Sequence, residues 1–194
     1  FDIEGLIANR PVARDGENRH AVRDGLGIVR ALVTAYGQCH ANLVRHDVRY
    51  PTAEQLLART VAGYDDTEDG VDLIVRAVDK PDPRPVWFCN WGTDRGSAVS
   101  CLQRALDRVQ QERGPDGYAQ FKSRLRLSSA DEFGAHTTAI EPPFPLWVDT
   151  FRPELQGRRW YHRFSALTAT AGRFDIERDV RSGHGPLGAL YPLN

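Results

Sequence analysis

PVWFCNWGTDRGSAVSCL, residues 85–102, is the stretch on which the fold turns. Its first half, 85–91, is an almost unbroken apolar and aromatic run, the pattern of a strand covered on both faces. The run stops at Trp91–Gly92, and a different period begins a few residues later. From there Ala98, Val99, Leu102, Ala105, Leu106 and Val109 recur at helical spacing. The spacing predicts a strand over 85–91 and a helix over 95–112. A strand that runs through a short polar turn into a helix is the repeating unit of a parallel α/β sheet.

The neighbouring segments fit that unit. Strands are predicted over 2–8 (DIEGLIA), 123–128 (SRLRLS) and 145–150 (PLWVDT). Helices are predicted over 20–36, on a stripe of Val22, Leu26, Val29, Leu32, Val33 and Tyr36, and over 70–79, on Val71, Ile74, Val75 and Val78. A further helix is predicted over 52–62, entered from Pro51, with Thr52 and Gln55 at the spacing of a capping box. Residues 63–70, 79–85 and the proline-broken 137–145 read as connections, and 63–70 and 79–85 as exposed ones. The class expected is α/β: an open, mostly parallel sheet.

Composition narrows the function classes. The 194 residues are 41% hydrophobic and 26% charged, a globular balance, and the formal net charge is −1. The absence of a basic excess argues against nucleic acid as a partner. No apolar run approaches the ~20 residues of a membrane-spanning helix, so no membrane partner is expected. The chain opens directly on a core-like strand and ends on HGPLGALYPLN, so residues 1–194 are expected to be one domain lacking its first strand and its C-terminal continuation. Cys39, Cys89 and Cys101 show no metal-ligand spacing and read as small buried thiols.

In an open α/β sheet the ligand sits beyond the carboxyl ends of the strands. The residues that follow the predicted strands are Asn9 and Arg10; Asn90, Trp91, Gly92, Thr93 and Asp94; Ser128, Ser129, Asp131 and Glu132; and Asp149, Thr150 and Arg152. Amides, hydroxyls, carboxylates and an indole form the mixture that suits a polyol such as a sugar. Each also has a plainer reading. Thr93 or Asp94 would serve as a helix N-cap, Asp131–Glu132 as a solvated turn and Trp91 as core. RRWYHRF (158–164) reads as a solvated amphipathic face and His20 as a surface residue. No phosphate loop, zinc motif, nucleophile elbow or CxxC is present.

FDIEGLIA, AVRDGLGIVRALVTAYGQCHANLVRHDVRYPTAEQL, DGVDLIVRAVDKPDPRPVWFCNWG and HGPLGALYP occur in this order. Together they resemble the nucleoside-hydrolase-like domain of a family of cellulose-binding bacterial proteins. The resemblance covers most of 1–128 and the last dozen residues, and is most specific in DPRPVWFCNWG and HGPLGALYP. It implies a doubly wound sheet with helices on both faces, a carbohydrate ligand and an extracellular or periplasmic location. Nucleoside hydrolases hold calcium on an aspartate cluster after their first strand, upstream of where this chain begins. Calcium is therefore expected only if carboxylates upstream supply its oxygen ligands; no other cofactor is expected. HGPLGALY looks like the hydrolase segment in which a histidine precedes a metal-binding aspartate. His184 matches the histidine, but Gly185 stands in the aspartate's place, which counts against classical calcium-dependent N-ribosyl hydrolysis.

Two functions remain open at this point. A hydrolase of glycosidic or N-glycosidic bonds would use Asp94, Asp131 and His184 for catalysis, with Glu132 and Asp149 as further carboxylates at the rim. Asn9, Arg10, Asn90, Trp91, Asp149 and Arg152 would bind the substrate. A non-catalytic polysaccharide-binding module would need only the amides and aromatics. The ligand in either case is an oligosaccharide, a polysaccharide or a nucleoside-like molecule. The loop 129–145 is expected to border the pocket and to bring Asp131 or His136 to it. Self-association into a homo-oligomer, and a scaffold role with the rim under a partner chain, stay open.

Overall fold

The computed structural model describes residues 2–8, 24–90, 97–129 and 175–191. The predicted strand 145–150, the loop 129–145 beyond Ser129, the start of the helix at 20 and the patch 158–164 lie outside these residues. The chain divides into two compact units, Phe1–Tyr64 with Gly172–Asn194, and Asp65–Ala171.

In the first unit, β1 (Leu6–Ala8) and β2 (Thr60–Ala62) run parallel, with Leu6 opposite Thr60 and Ala8 opposite Ala62. Leu6 N donates to Arg59 O at 3.0 Å, and Gly63 N to Ala8 O at 2.8 Å, so the ladder reaches past both ends of the pair. Parallel strands cannot be joined by a tight turn; here the crossover holds α1 (Gly25–Leu43) and α2 (Ala53–Leu57).

Polar contacts fix that crossover. At the start of α1 the Asp24 carboxylate accepts from Gly27 N at 2.5 Å, and the Tyr64 hydroxyl accepts from Leu26 N at 2.8 Å. Both amides are among those a helix start leaves without an internal partner. Further along, the Tyr36 hydroxyl donates to Pro51 O at 2.5 Å and His40 Nε2 to Tyr50 O at 3.1 Å. Two side chains one turn apart thus anchor the returning loop. Burial pushes the Tyr36 hydroxyl above its usual range, with the nearby Tyr50 adding to the shift. The predicted capping box is present: Gln55 N donates to Thr52 Oγ1 at 3.2 Å and Thr52 N to Gln55 Oε1 at 2.9 Å.

The helix expected over 52–62 ends at Leu57, and its last residues form β2 instead. Arg59 N closes a tight turn onto Leu56 O at 3.0 Å, after which Thr60 and Val61 pair with β1. The pairing partner lies more than fifty residues upstream, so no local pattern could announce it. Among the described residues of this unit the buried ones are mostly small: Ala8, Val33, Ala35, Leu56, Thr60, Ala62 and Gly63. Leu32, placed on the buried stripe by its spacing, is exposed, and Ala35 is buried. The first strand is also shorter than the predicted 2–8.

The second unit contains α3 (Asp69–Asp79), β3 (Val86–Asn90), α4 (Ser97–Ser123) and β4 (Leu125–Ser129). β3 and β4 are parallel, with Val86 opposite Leu125 and Asn90 opposite Ser129, and α4 crosses between them. Val71, Ile74, Val75 and Val78 of α3 and Leu102, Ala105, Leu106 and Val109 of α4 are buried, as the periodicity predicts. α4 extends beyond the predicted end at 112. Gly114 breaks it at φ 66°, and the helix resumes at Pro115, whose missing N–H costs nothing in a first turn.

A row of ion pairs runs along the α3 and α4 contact. Arg104 pairs with Glu68, Arg108 with Asp72 at 2.7 Å, and Arg113 with Asp79 at 2.6 Å. Partner numbers rise together along both helices, so α3 and α4 are parallel to each other, as helices on one face of a parallel sheet are. The expected exposure holds over 79–85, where Asp82 alone is half-buried, and only in part over 63–70, where Gly63 and Gly70 are buried. Cys101 is buried, which pushes its thiol up to about 11, whereas Cys39 is half-buried and Cys89 is exposed. The reading of three buried thiols is therefore corrected at Cys89. Among the described residues β3 pairs with β4 alone.

The first unit is completed by two short turns: α5 (Glu177–Arg181), a π-helical turn, and α6 (Gly185–Ala189), which packs on α1. Gly188 lies so close to the Val180 carbonyl oxygen that a Cβ there would overlap it.

Candidate functional site

The parallel register places Asn90 and Ser129 side by side at the carboxyl end of β3 and β4. The segment that carries Trp91 and Asp94 and the segment that carries Asp131 therefore leave from the same end of one strand pair. Asn9, Arg10, Trp91, Asp94, Asp131, Asp149, Arg152, Glu132 and His136 lie outside the described residues.

The carboxyl end of β1 and β2 supplies positions that the sequence reading missed. Gly63 and Tyr64 follow β2 directly, and the half-buried Tyr64 turns its hydroxyl to the first turn of α1. The helical reading of 60–62 hides the strand end that precedes them. The β-branched pair Thr60–Val61 was the local signal available.

His184 precedes α6, in the first unit, and its side chain is exposed. Gly183 at φ 76° and Gly185 at φ 80° flank it, conformations that side chains rarely adopt, with open space where a Cβ would stand. The imidazole Nε2 lies 3.2 Å from the Arg178 carbonyl oxygen. That carbonyl belongs to the π-helical turn of α5, an uncommon geometry often found at functional sites.

The turn is densely bonded. Arg178 N donates to Asp175 Oδ1 at 2.8 Å, and Asp175 N to Asp179 Oδ2 at 2.8 Å. The Arg178 guanidinium grips the Asp179 carboxylate at 2.6 and 2.7 Å. These contacts hold the Asp179 carboxyl down at about 2: the Arg178 side-chain bond contributes most, then the backbone bond from Asp175, with a smaller share from the charge of His184. The Ser182 hydroxyl donates to Glu177 Oε1 at 3.0 Å.

Among the described residues no three His, Cys, Asp or Glu side chains gather closely enough to hold a metal ion. Gly185 has no side-chain oxygen to offer either. The described residues thus do not fit a calcium site. No helix of the described residues is long and apolar enough to cross a membrane.

The family described as cellulose-binding Sde182, nucleoside hydrolase-like domain, matches residues 1–194. The chain belongs to this family. No curated protein matches it. Among solved structures the chain is similar to a nucleoside hydrolase-related hypothetical protein from Saccharophagus degradans that is associated with carbohydrate metabolism. The TM-score is 0.61 at 25% identity, over 97% of this chain and 43% of that one. The chain therefore spans less than half the length of that relative. Its parallel strands and their helical crossovers agree with a nucleoside-hydrolase-like fold.

Proposed function

We propose that these residues form one nucleoside-hydrolase-like domain that takes a glycan at the carboxyl ends of a doubly wound parallel sheet and hydrolyses a glycosidic bond there. Membership of a cellulose-binding family over all 194 residues is the observation that carries the reading. The β3–β4 pair supplies a common carboxyl end at Asn90 and Ser129. Asp94 and Asp131, which follow those strands, would share acid and base roles, and His184 would protonate the leaving group or bind a sugar hydroxyl. Asn9, Arg10, Asn90, Trp91, Asp149 and Arg152 would bind the sugar. A polysaccharide ligand places the protein outside the cytoplasm, where such polymers are met.

The alternative, a non-catalytic binding module, is favoured by one observation: glycine at 185, where the resembled hydrolases carry a metal-binding aspartate. One panel separates the two. The full chain is assayed for hydrolysis of cello-oligosaccharides and nucleosides and for retention on insoluble cellulose. Turnover that falls at least tenfold in His184→Ala, Asp94→Asn and Asp131→Asn supports the hydrolase. Retention without turnover supports the binding module. Neither retention nor turnover on any of these ligands rejects both.

A further inference from the structure

A carbonyl oxygen can only accept, so the contact from His184 Nε2 to Arg178 O at 3.2 Å assigns the ring proton to Nε2. The other nitrogen, Nδ1, then carries the lone pair on an exposed ring. What keeps the Arg178 carbonyl in place is the bonding of its own turn. Asp175 Oδ1 receives the Arg178 amide, Asp179 receives the Asp175 amide and the Nε and Nη2 donors of Arg178, and Asp179 N returns to Asp175 O at 2.7 Å. Each bond closes on another member of the set, so residue 178 is held through its amide and its side chain together.

We infer that Asp175 and Asp179 are positioning residues for His184: by fixing the Arg178 carbonyl they hold the imidazole in its Nε2–H form and leave Nδ1 as the nitrogen that meets a ligand. This deepens the proposed function and rests on its reading of His184 as a ligand-facing group. A neutral ring so held accepts a sugar hydroxyl at Nδ1. Once protonated, it presents Nδ1–H to a leaving-group oxygen while Nε2–H stays on the carbonyl. The flanking glycines, with no side chains, leave that nitrogen approachable.

Long-range ¹H–¹⁵N correlation on the histidine-labelled full chain at about pH 8, above the ordinary imidazole range, reads the tautomer directly. Assignment comes from the signal lost in His184→Ala. The expected result is one tautomer with Nε2 protonated. Asp175→Asn, which keeps an oxygen for the Arg178 amide, should retain it. Asp175→Ala and Asp179→Ala should move the two nitrogen shifts together, as in a ring that exchanges freely. An Nδ1–H ring, an averaged pair in the unsubstituted protein, or a lock that survives both alanine variants overturns the inference. Adding cellohexaose then tests the ligand half separately. A change at Nδ1 with Nε2 unmoved supports it, and a change at Nε2 alone overturns it. A locked tautomer with no change at either nitrogen leaves the positioning intact and counts against the glycan reading of His184.

Discussion

The two strand–helix–strand units solve the same topological problem with different materials. The unit of β3, α4 and β4 buries Val71 and Val78 of α3 and Leu102, Leu106 and Val109 of α4, all essentially without solvent exposure. β1, α1, α2 and β2 bury smaller side chains, and the crossover is fixed by Tyr36, His40, Asp24 and the Thr52–Gln55 box reaching backbone groups. Large apolar residues contribute in proportion to area removed from water. A directional bond contributes a net ~1 kcal/mol, but it fixes geometry in a way that area does not. The second unit should therefore respond most to lost volume, and the first to lost fit and lost bonds.

The largest effect expected is in the helix pair. Leu106 is fully buried on α4, which packs on α3, and Leu106→Ala should lower unfolding free energy by about 3 kcal/mol, as lost transfer energy and a residual cavity combine. Chemical denaturation measures it. A loss below about 1 kcal/mol would show that this contact is not the close-packed layer described.

The first unit should break by overlap instead. A Cβ on Gly37 would stand 2.8 Å from the Ala53 Cβ, closer than real Cβ atoms approach a neighbour. Gly37→Ala gains about 1 kcal/mol of helix propensity, yet the forced separation of α1 and α2 should outweigh it and leave a net loss of about 1–2 kcal/mol. Ala53→Gly in the same chain removes the obstructing atom and should recover most of the difference. If the double variant is no better than the sum of the singles, the close approach is not the cause. Below this in size comes Thr52→Ala, which removes one half of the capping box and should cost about 1 kcal/mol.

What could be read from the sequence divides along the same lines. The stripes of α3 and α4 are long, regular and wholly apolar, so their periodicity identified both helices and most of their buried residues, though not Leu73 or Phe121. The capping box was legible because both partners lie within three residues. β2 was not, because it is three residues long and is stabilised by a strand more than fifty residues away. The break at Gly114–Pro115 is visible as a dipeptide, but continuation of the helix beyond it depends on Phe121 reaching the core. Of the candidate site, the sequence suggested a polar rim, most of which lies outside the described residues, and His184. The Arg178 carbonyl that orients this histidine could not be foreseen, since a π-helical turn has no simple residue signature.

Acid titration sharpens the comparison through its smallest terms. Asp79 is bonded by Arg113 across two helices, and that bond holds its carboxyl below the ordinary 3.8. Asp47 is bonded by Arg49, two residues away within one loop, which holds it at about 2. A carboxyl lowered in the folded state contributes stability that is complete above its unfolded value and is lost as pH falls through the folded one. Both should thus weaken the protein only below about pH 4. Their size should differ, because the Asp47–Arg49 pair can form in the unfolded chain while the helix-bridging pair cannot. Asp79→Asn should flatten the dependence of the denaturation midpoint on pH below 4 measurably, though by less than about 1 kcal/mol, as both side chains are partly in water. Asp47→Asn should leave that slope nearly unchanged despite its lower carboxyl. Salt should shrink the Asp79 difference. Equal slopes for the two variants would mean that the ion pairs along α3 and α4 only decorate a contact fixed by its apolar residues.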